Sequence, residues 1–294
     1  MSLFLLISAC SYIESALGVG DDARQQVFDE HWTLGGFRMA QCFSDIGVSQ
    51  EANDTVAAYI RAKIDEIVDD PATAQLLKPW DHPVGTKRIC VDTGYYATYN
   101  RDNVHLVDVK TAPISTLTRT GLRIDSGQEF ELDAVVFANG LDAMTGALLN
   151  MDIRGRGGES LRDHWESGAR TYLGLSVAGF PNLFTVTGPG SPSVLSNMLT
   201  SIEQHVEWID DHIAYLRRHG LKVSEPDLEA ENEWVEHVNT VADMTLMKRA
   251  NSWYLGANVP GKPRVFMAYA GGVGAYRDRC DEITADKYRG FQLA

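Results

Sequence analysis

No GxGxxG turn occurs anywhere in the 294 residues, there are only four cysteines, and Lys and Arg together number 26 against 40 Asp and Glu. Each shortage excludes something. "IRGRGGES", "GPGSPS" and "AGGVGAY" supply glycines, but none has the third glycine in place or sits at the first strand-to-helix turn of a βαβ unit, so the usual dinucleotide fingerprint is missing. Cys10, Cys42, Cys90 and Cys280 are far apart, without the CxxC pairs of a zinc site or the density of a secreted disulfide scaffold. A reducing cytoplasm is the expected compartment. A formal charge of −14 with no dense basic run argues against nucleic acid as a partner, so any anionic ligand must be held by a local cationic site. No segment approaches the roughly 18 apolar residues that span a bilayer, so no membrane partner is expected. The opening "MSLFLLISAC" resembles a lipoprotein signal ending at Cys10, but its apolar run of about six residues has no Lys or Arg before it and is not read as an export signal.

The residues present, 44% of them hydrophobic, read as an ordinary globular protein of one or two domains. Residues 21–78 carry apolar side chains at helical spacing, among them Val56, Ala57, Tyr59, Ile60, Ile64 and Ile67, with Ser49 and Asp54 as candidate caps and Pro71 opening a further short helix. From Arg88 the pattern changes to strands: "RICVDT", "VHLVDVKT", "ISTLTRTGLRID" with a Thr-Gly turn, and "ELDAVVFANG". The apolar run Ala134 to Ala138 predicts a strand buried on both faces that ends in a ligand-facing Asn-Gly loop. "PNLFTVTGPGSP" repeats that form, with Leu183 to Val186 as strand and Gly188 to Pro192 as loop. A helix then follows, with Ile202, Val206, Ile209, Ile213 and Leu216 on one face and Gly220 as its stop. Strand, glycine loop and helix in that order place a cofactor site at the carboxyl ends of a sheet.

Four long segments, "GTKRICVDTGYYATYNRDNV", "FANGLDAMTGALLNMDIRGRGG", "AGFPNLFTVTGPGSPSVLSNMLTSIEQHVEWI" and "NSWYLGANVPGKPRVFMAYAGGVGAYRDRCDEI", occur in one order. Together they resemble the carboxyl-terminal half of Baeyer–Villiger monooxygenases, most closely the phenylacetone, cyclohexanone and steroid monooxygenase branch, from about Asp21 to the end. The resemblance implies FAD and NADPH as cofactors and a ketone and O2 as substrates, with an ester or lactone as product. Oxygen insertion of this kind forms an anion in a water-poor site, where a guanidinium supplies a fixed positive charge without being consumed as an acid. The matching arginine is Arg88. Lys87 matches a lysine that contacts the nicotinamide nucleotide, for which an ammonium is a suitable point charge.

By residue type alone the Lys87-Arg88 pair also reads as a solvated strand end. Trp253 matches a tryptophan over the nicotinamide nucleotide, and by type is equally a core tryptophan. "SPSVLSNM" matches the loop lining the ketone pocket. Through the resemblance, Leu195 and Met198 become pocket walls and Ser196 and Asn197 polar contacts to the flavin, although methionine is also a common gap filler. Asp142 reads as a loop cap.

The sequence departs from the family in two ways. Ala138-Asn139-Gly140 stands where the family has "ATG" at the link between its nucleotide domains, a change asparagine tolerates in a turn. Neither GxGxxG turn nor the "HTxxWP" fingerprint is present. The expected fold is therefore α/β, the later portions of two Rossmann-like nucleotide-binding domains plus a helical layer. The layer covers 1–84, the later NADPH-binding part 85–137 and the later FAD-binding part 138–294. The resemblance implies an oxygenase whose amino-terminal half is missing, so tight FAD binding by this chain alone is not expected. A non-catalytic remnant, a subunit completed by a separate chain, and an amine- or sulfide-oxidising flavin monooxygenase are the alternatives.

Overall fold

A computed structural model describes residues 14–294. Cys10 and the opening apolar run lie outside the described residues. The chain begins with the expected helical layer: α1 (Asp21–Leu34), α2 (Gln50–Ile67) and α3 (Pro71–Leu77), followed by a single turn, α4 (Tyr95–Thr98). Ser49 caps α2 by accepting from the Ala52 amide at 3.3 Å, and Asp70 caps α3 at Thr73 with Pro71 in the first turn. Asp54 is not a cap; it lies inside α2 and accepts from the Gln50 side chain. Val27, Phe28, Met39, Phe43, Ile46, Val56 and Tyr59 close a core of their own between these helices.

Of the segments read as strands, only "ISTLTRTGLRID" forms as expected. It makes an antiparallel hairpin of β1 (Ile114–Thr118) and β2 (Gly121–Ile124), to which β3 (Glu129–Glu131) adds. Residues 88–93, 104–111 and 183–186 are irregular, and "ELDAVVFANG" contributes only Glu131 to a strand. Its whole length is exposed rather than buried. A strand exists by exchanging backbone hydrogen bonds with a neighbour. Among the described residues, no parallel strand lies beside any of these segments, and the single parallel pairing is the isolated bridge between Ser191 and Ala268.

Beyond the short turns α5 (Gly146–Leu149) and α6 (Leu161–His164), the long helix α7 (Met198–Arg218) matches its expected limits. It stops at Gly220, which has φ +70°: the Leu221 amide returns to the Leu216 carbonyl and the Gly220 amide to Arg217. The face it buries overlaps the expected apolar stripe only in part. Ser201, Gln204, His205, Trp208, His212 and Leu216 are buried and Ile209 packs against the second core, while Val206 is half exposed. The second core also draws on α8 (Leu228–Asp243) and α9 (Val273–Ala285), through Trp234, Val238, Tyr276 and Ile283, and on irregular segments that supply Leu173, Leu175, Phe266 and Tyr269. β4 (Ser224–Pro226) and β5 (Phe291–Leu293) pair antiparallel at its edge. The two cores are tied by the Leu246 amide on the Gly47 carbonyl and by Arg249 on Gln50.

Candidate functional site

The segment carrying Lys87 and Arg88 is pinned from below by one buried side chain. Asn53, on α2, donates to the carbonyls of Ile46 and Val84 at 2.8 and 3.0 Å and accepts from the Val84 amide at 2.8 Å. Thr86, also buried, closes the turn by donating to the Pro83 carbonyl. Arg88 is thus presented at a fixed height above the helical layer. Its Nη2 donates to the Val194 carbonyl at 3.1 Å, and its guanidinium carbon lies 5.8 Å from the centre of the Phe37 ring. Among the described residues no carboxylate pairs with Arg88.

Lys87 behaves differently from its neighbour. Its ammonium lies 3.3 Å from Asp81, whose carboxylate also meets His82 Nδ1 at 2.7 Å. The hydrogen bond from His82, and then Lys87, hold the Asp81 carboxyl down at about 2. Adjacent in sequence, the two cations serve different partners.

Between Arg88 and the helical layer lies a cavity of about 440 Å³, lined by Trp32, Met39, Ile60, Val84, Tyr96 and both cations, among others. It has the size of a small-molecule site, with apolar walls and a few polar groups on one side. A cleft of about 450 Å³ between α1 and α2 is lined by charges already paired with each other, Arg24 with Asp21 and Lys63 with Glu66. It leaves no spare charge to hold a ligand. Sequence reasoning missed Trp32 and Met39, which line the cavity on either side of the turn at Gly35-Gly36, and Phe37, whose ring faces Arg88.

The loop after Gly188 meets the site through the Val194 carbonyl that Arg88 holds. Two backbone hydrogen bonds stitch it to the carboxyl-terminal segment, Gly190 to Met267 and Tyr269 to Ser191, and a third joins Met267 to Tyr254, each at 2.9 Å. Leu195 is half-buried against the second core. The Ser196 hydroxyl lies 3.0 Å from Ser201 Oγ, and Asn197 Oδ1 accepts from the Leu199 amide at 3.0 Å as the cap of α7. Met198, 38% exposed, opens that helix. Trp253 is half-buried with its ring 4.3 Å from Tyr254. Burial pushes the Tyr254 phenol up, and the positive charge of Arg88 opposes that rise. Arg88, the 194–198 turn and the Trp253-Tyr254 pair therefore converge, while Lys87 is directed to Asp81. Asp142 accepts from the Lys262 ammonium, which also donates to the Ala143 carbonyl, so it fastens the 141–143 turn rather than facing the cavity.

Known proteins resemble this chain over nearly its whole length. No family model matches the chain. A Baeyer-Villiger monooxygenase of Pseudooceanicola batsensis is 43% identical over 277 residues, 94% of this chain and 50% of that protein. A phenazine N-monooxygenase of Lysobacter antibioticus is 42% identical over 97% of this chain and 53% of its own length. Among solved structures, an oxidized steroid monooxygenase bound to NADP superposes with a TM-score of 0.90 at 47% identity, covering 97% of this chain and 54% of that one. A complex of OTEMO with FAD and NADP gives a TM-score of 0.92 at 37% identity over 97% of this chain and 52% of the other. The chain spans about half the length of the curated relatives it matches. No helix of the described residues is long and apolar enough to cross a membrane.

Proposed function

The chain belongs to the Baeyer–Villiger monooxygenase family, and from that premise we propose that it is the carboxyl-terminal half of an FAD- and NADPH-dependent enzyme that inserts one oxygen atom of O2 beside a ketone carbonyl, giving an ester or lactone. The observation that carries this reading is Arg88. In a chain with 40 acidic residues, its guanidinium pairs with no carboxylate among the described residues, is anchored to the Val194 carbonyl, and borders a largely apolar cavity. A cation placed in this way stabilises negative charge that develops at a reacting centre.

The residues present fit the ring end of the cofactors. When bound, FAD reduced by NADPH supplies the activation of O2. Asn197 spends Oδ1 on the helix cap and keeps its amide NH2 without a partner among the described residues, so it can still donate to a flavin, with Ser196 beside it. Trp253 offers a half-buried ring for the nicotinamide nucleotide. Lys87 reaches that nucleotide by exchanging Asp81 for a phosphate. Leu195 and Met198 are the ketone-pocket walls on this reading, on the loop that Arg88 reaches at Val194. The diphosphate end is not provided for, because the sequence holds no GxGxxG turn. On this reading residues 85–137 are the later part of the NADPH-binding domain and 138–294 the later part of the FAD-binding domain. The partner is an amino-terminal half carrying both glycine turns, and the compartment is the cytoplasm.

The test is reassembly. Co-expressed with the amino-terminal half of a relative, the chain is expected to retain FAD and to convert a ketone to an ester, whereas purified alone it is colourless. A yellow chain with stoichiometric FAD in the absence of any partner would overturn the half-enzyme reading. Conversion of an N-heteroaromatic compound but no ketone would favour N-oxygenation, the second reading, which the similarity to the phenazine N-monooxygenase supports.

A further inference from the structure

The stretch 131–140 is exposed at every position, yet it contains Leu132, Ala134, Val135, Val136 and Phe137. Val136 is 87% and Phe137 70% exposed. Successive side chains of an extended segment alternate between faces, so Leu132, Ala134 and Val136 share one face while Val135 and Phe137 share the other. Apolar residues on both faces mark a strand that belongs inside a parallel sheet covered by helices on both sides. Among the described residues, the backbone of 133–137 makes no hydrogen bond. A second surface shows the same mismatch. On α7, Leu199, Ile202 and Val206 form an outer stripe more than 100° round the helix from the buried face, while Ile209 packs against the second core. Leu199 there is 69% exposed and Val206 50%.

We propose that 132–137 is a docking strand, completed by the open edge of a parallel α/β sheet in a separate polypeptide segment, with the outer stripe of α7 covered by the same partner. The inference rests on the half-enzyme reading above and deepens it by naming the surface through which the halves meet. The occupant follows from the lengths: structures that superpose on 97% of this chain contain about as much chain again beyond the match. A two-sided apolar strand fits an α/β sheet and not a flat, one-sided edge. Main-chain hydrogen bonds would hold the partner, and the alternating side chains would set its register.

Hydrogen exchange tests this on the full chain, alone and mixed with the amino-terminal half of the Pseudooceanicola batsensis relative. Alone, the amides of 133–137 should exchange at the rate of an unstructured peptide, and in the complex at least about a hundredfold more slowly. Val136→Asp, at an exposed position, should leave the helical signal of the chain unchanged and abolish the complex; Val206→Asp should weaken it. Three results would overturn the proposal: no complex, a complex in which 133–137 still exchanges freely, or protection that grows with the concentration of this chain alone, which would make a second copy the occupant. A complex with 133–137 protected that neither holds FAD nor oxygenates a ketone would sink the enzyme reading and leave the interface standing.

Discussion

Arg88 Nη2 donates to the Val194 carbonyl at 3.1 Å, joining the helical layer to the loop before α7 across 106 positions. The contact uses one of five guanidinium donors and leaves the charge uncompensated, since a carbonyl neutralises nothing. Its effect is orientation: the planar group is held at the rim of the cavity and tied to a loop from a distant part of the chain.

In the reassembled enzyme Arg88→Ala should lower the rate of ester formation by about a hundredfold or more, on the order of 3 kcal/mol, with FAD still bound. Arg88→Lys keeps the charge and loses the planar fork, and should fall between the two. Steady-state ketone turnover alongside flavin absorbance checks both, and an alanine variant at full rate would remove Arg88 from the chemistry.

Asn53→Ala should be the more damaging change for the fold of this region. It strips a fully buried side chain from the carbonyls of Ile46 and Val84 and the amide of Val84. Buried groups left unpaired cost about 1–3 kcal/mol each when water cannot reach them. Urea unfolding should show a loss of several kcal/mol, and Asn53→Asp, which keeps the acceptor but not the donor, should recover only part of it.

Asn197→Ala removes the cap of α7 and should lower stability by about 1 kcal/mol, or about 2–4 °C in Tm. Asn197→Asp should restore the melting temperature, because a carboxylate caps equally well, while lacking the amide donors assigned to the flavin. Melting curves for the chain and flavin affinity for the reassembled enzyme separate the two roles.

His205 and His212, both fully buried, are pushed down to about 4 by burial. The folded state therefore resists protonation that the unfolded chain accepts at about 6.5. Stability is unaffected by these groups above that value and is lost as pH falls from about 6.5 towards 4, on the order of 2 kcal/mol for each at pH 5. Glu231, raised by burial, works in the opposite sense, since the fold takes up its proton first on acidification. The histidine contribution is isolated by comparing His205→Gln with the parent chain in urea at pH 7 and pH 5. A variant with the same acid loss as the parent would refute it.

Local signals were the legible ones. Ser49 and Asp70 act within three residues of themselves, Pro71 suits a first helical turn, and Gly220 adopts the positive φ a helix stop needs; each follows from the chemistry of a few neighbours. The hairpin 114–124 was readable for the same reason, since both of its strands and the turn between them lie in one short segment. Similarity of "TKR" and "SPSVLSNM" to known motifs marked Arg88 and the 194–198 turn, but not that they touch.

What only the tertiary structure decided is which surfaces meet. Residues 132–137 carry strong strand character and form no strand, because pairing needs a neighbour that local sequence cannot supply. The α7 stripe is apolar and yet lies partly in solvent, because Trp208 and the two histidines fit the pocket left by Tyr276, Tyr288 and Phe291. Lys87 and Arg88 are neighbours in the chain and part company in space, since one finds Asp81 and the other Val194. The sequence by itself determined helices, caps, turns and the cationic pair, all of which depend on short-range geometry. Tertiary packing determined which face is buried and where Arg88 is anchored, because those outcomes depend on groups far apart in the chain, whereas Lys87 found its carboxylate only six residues away.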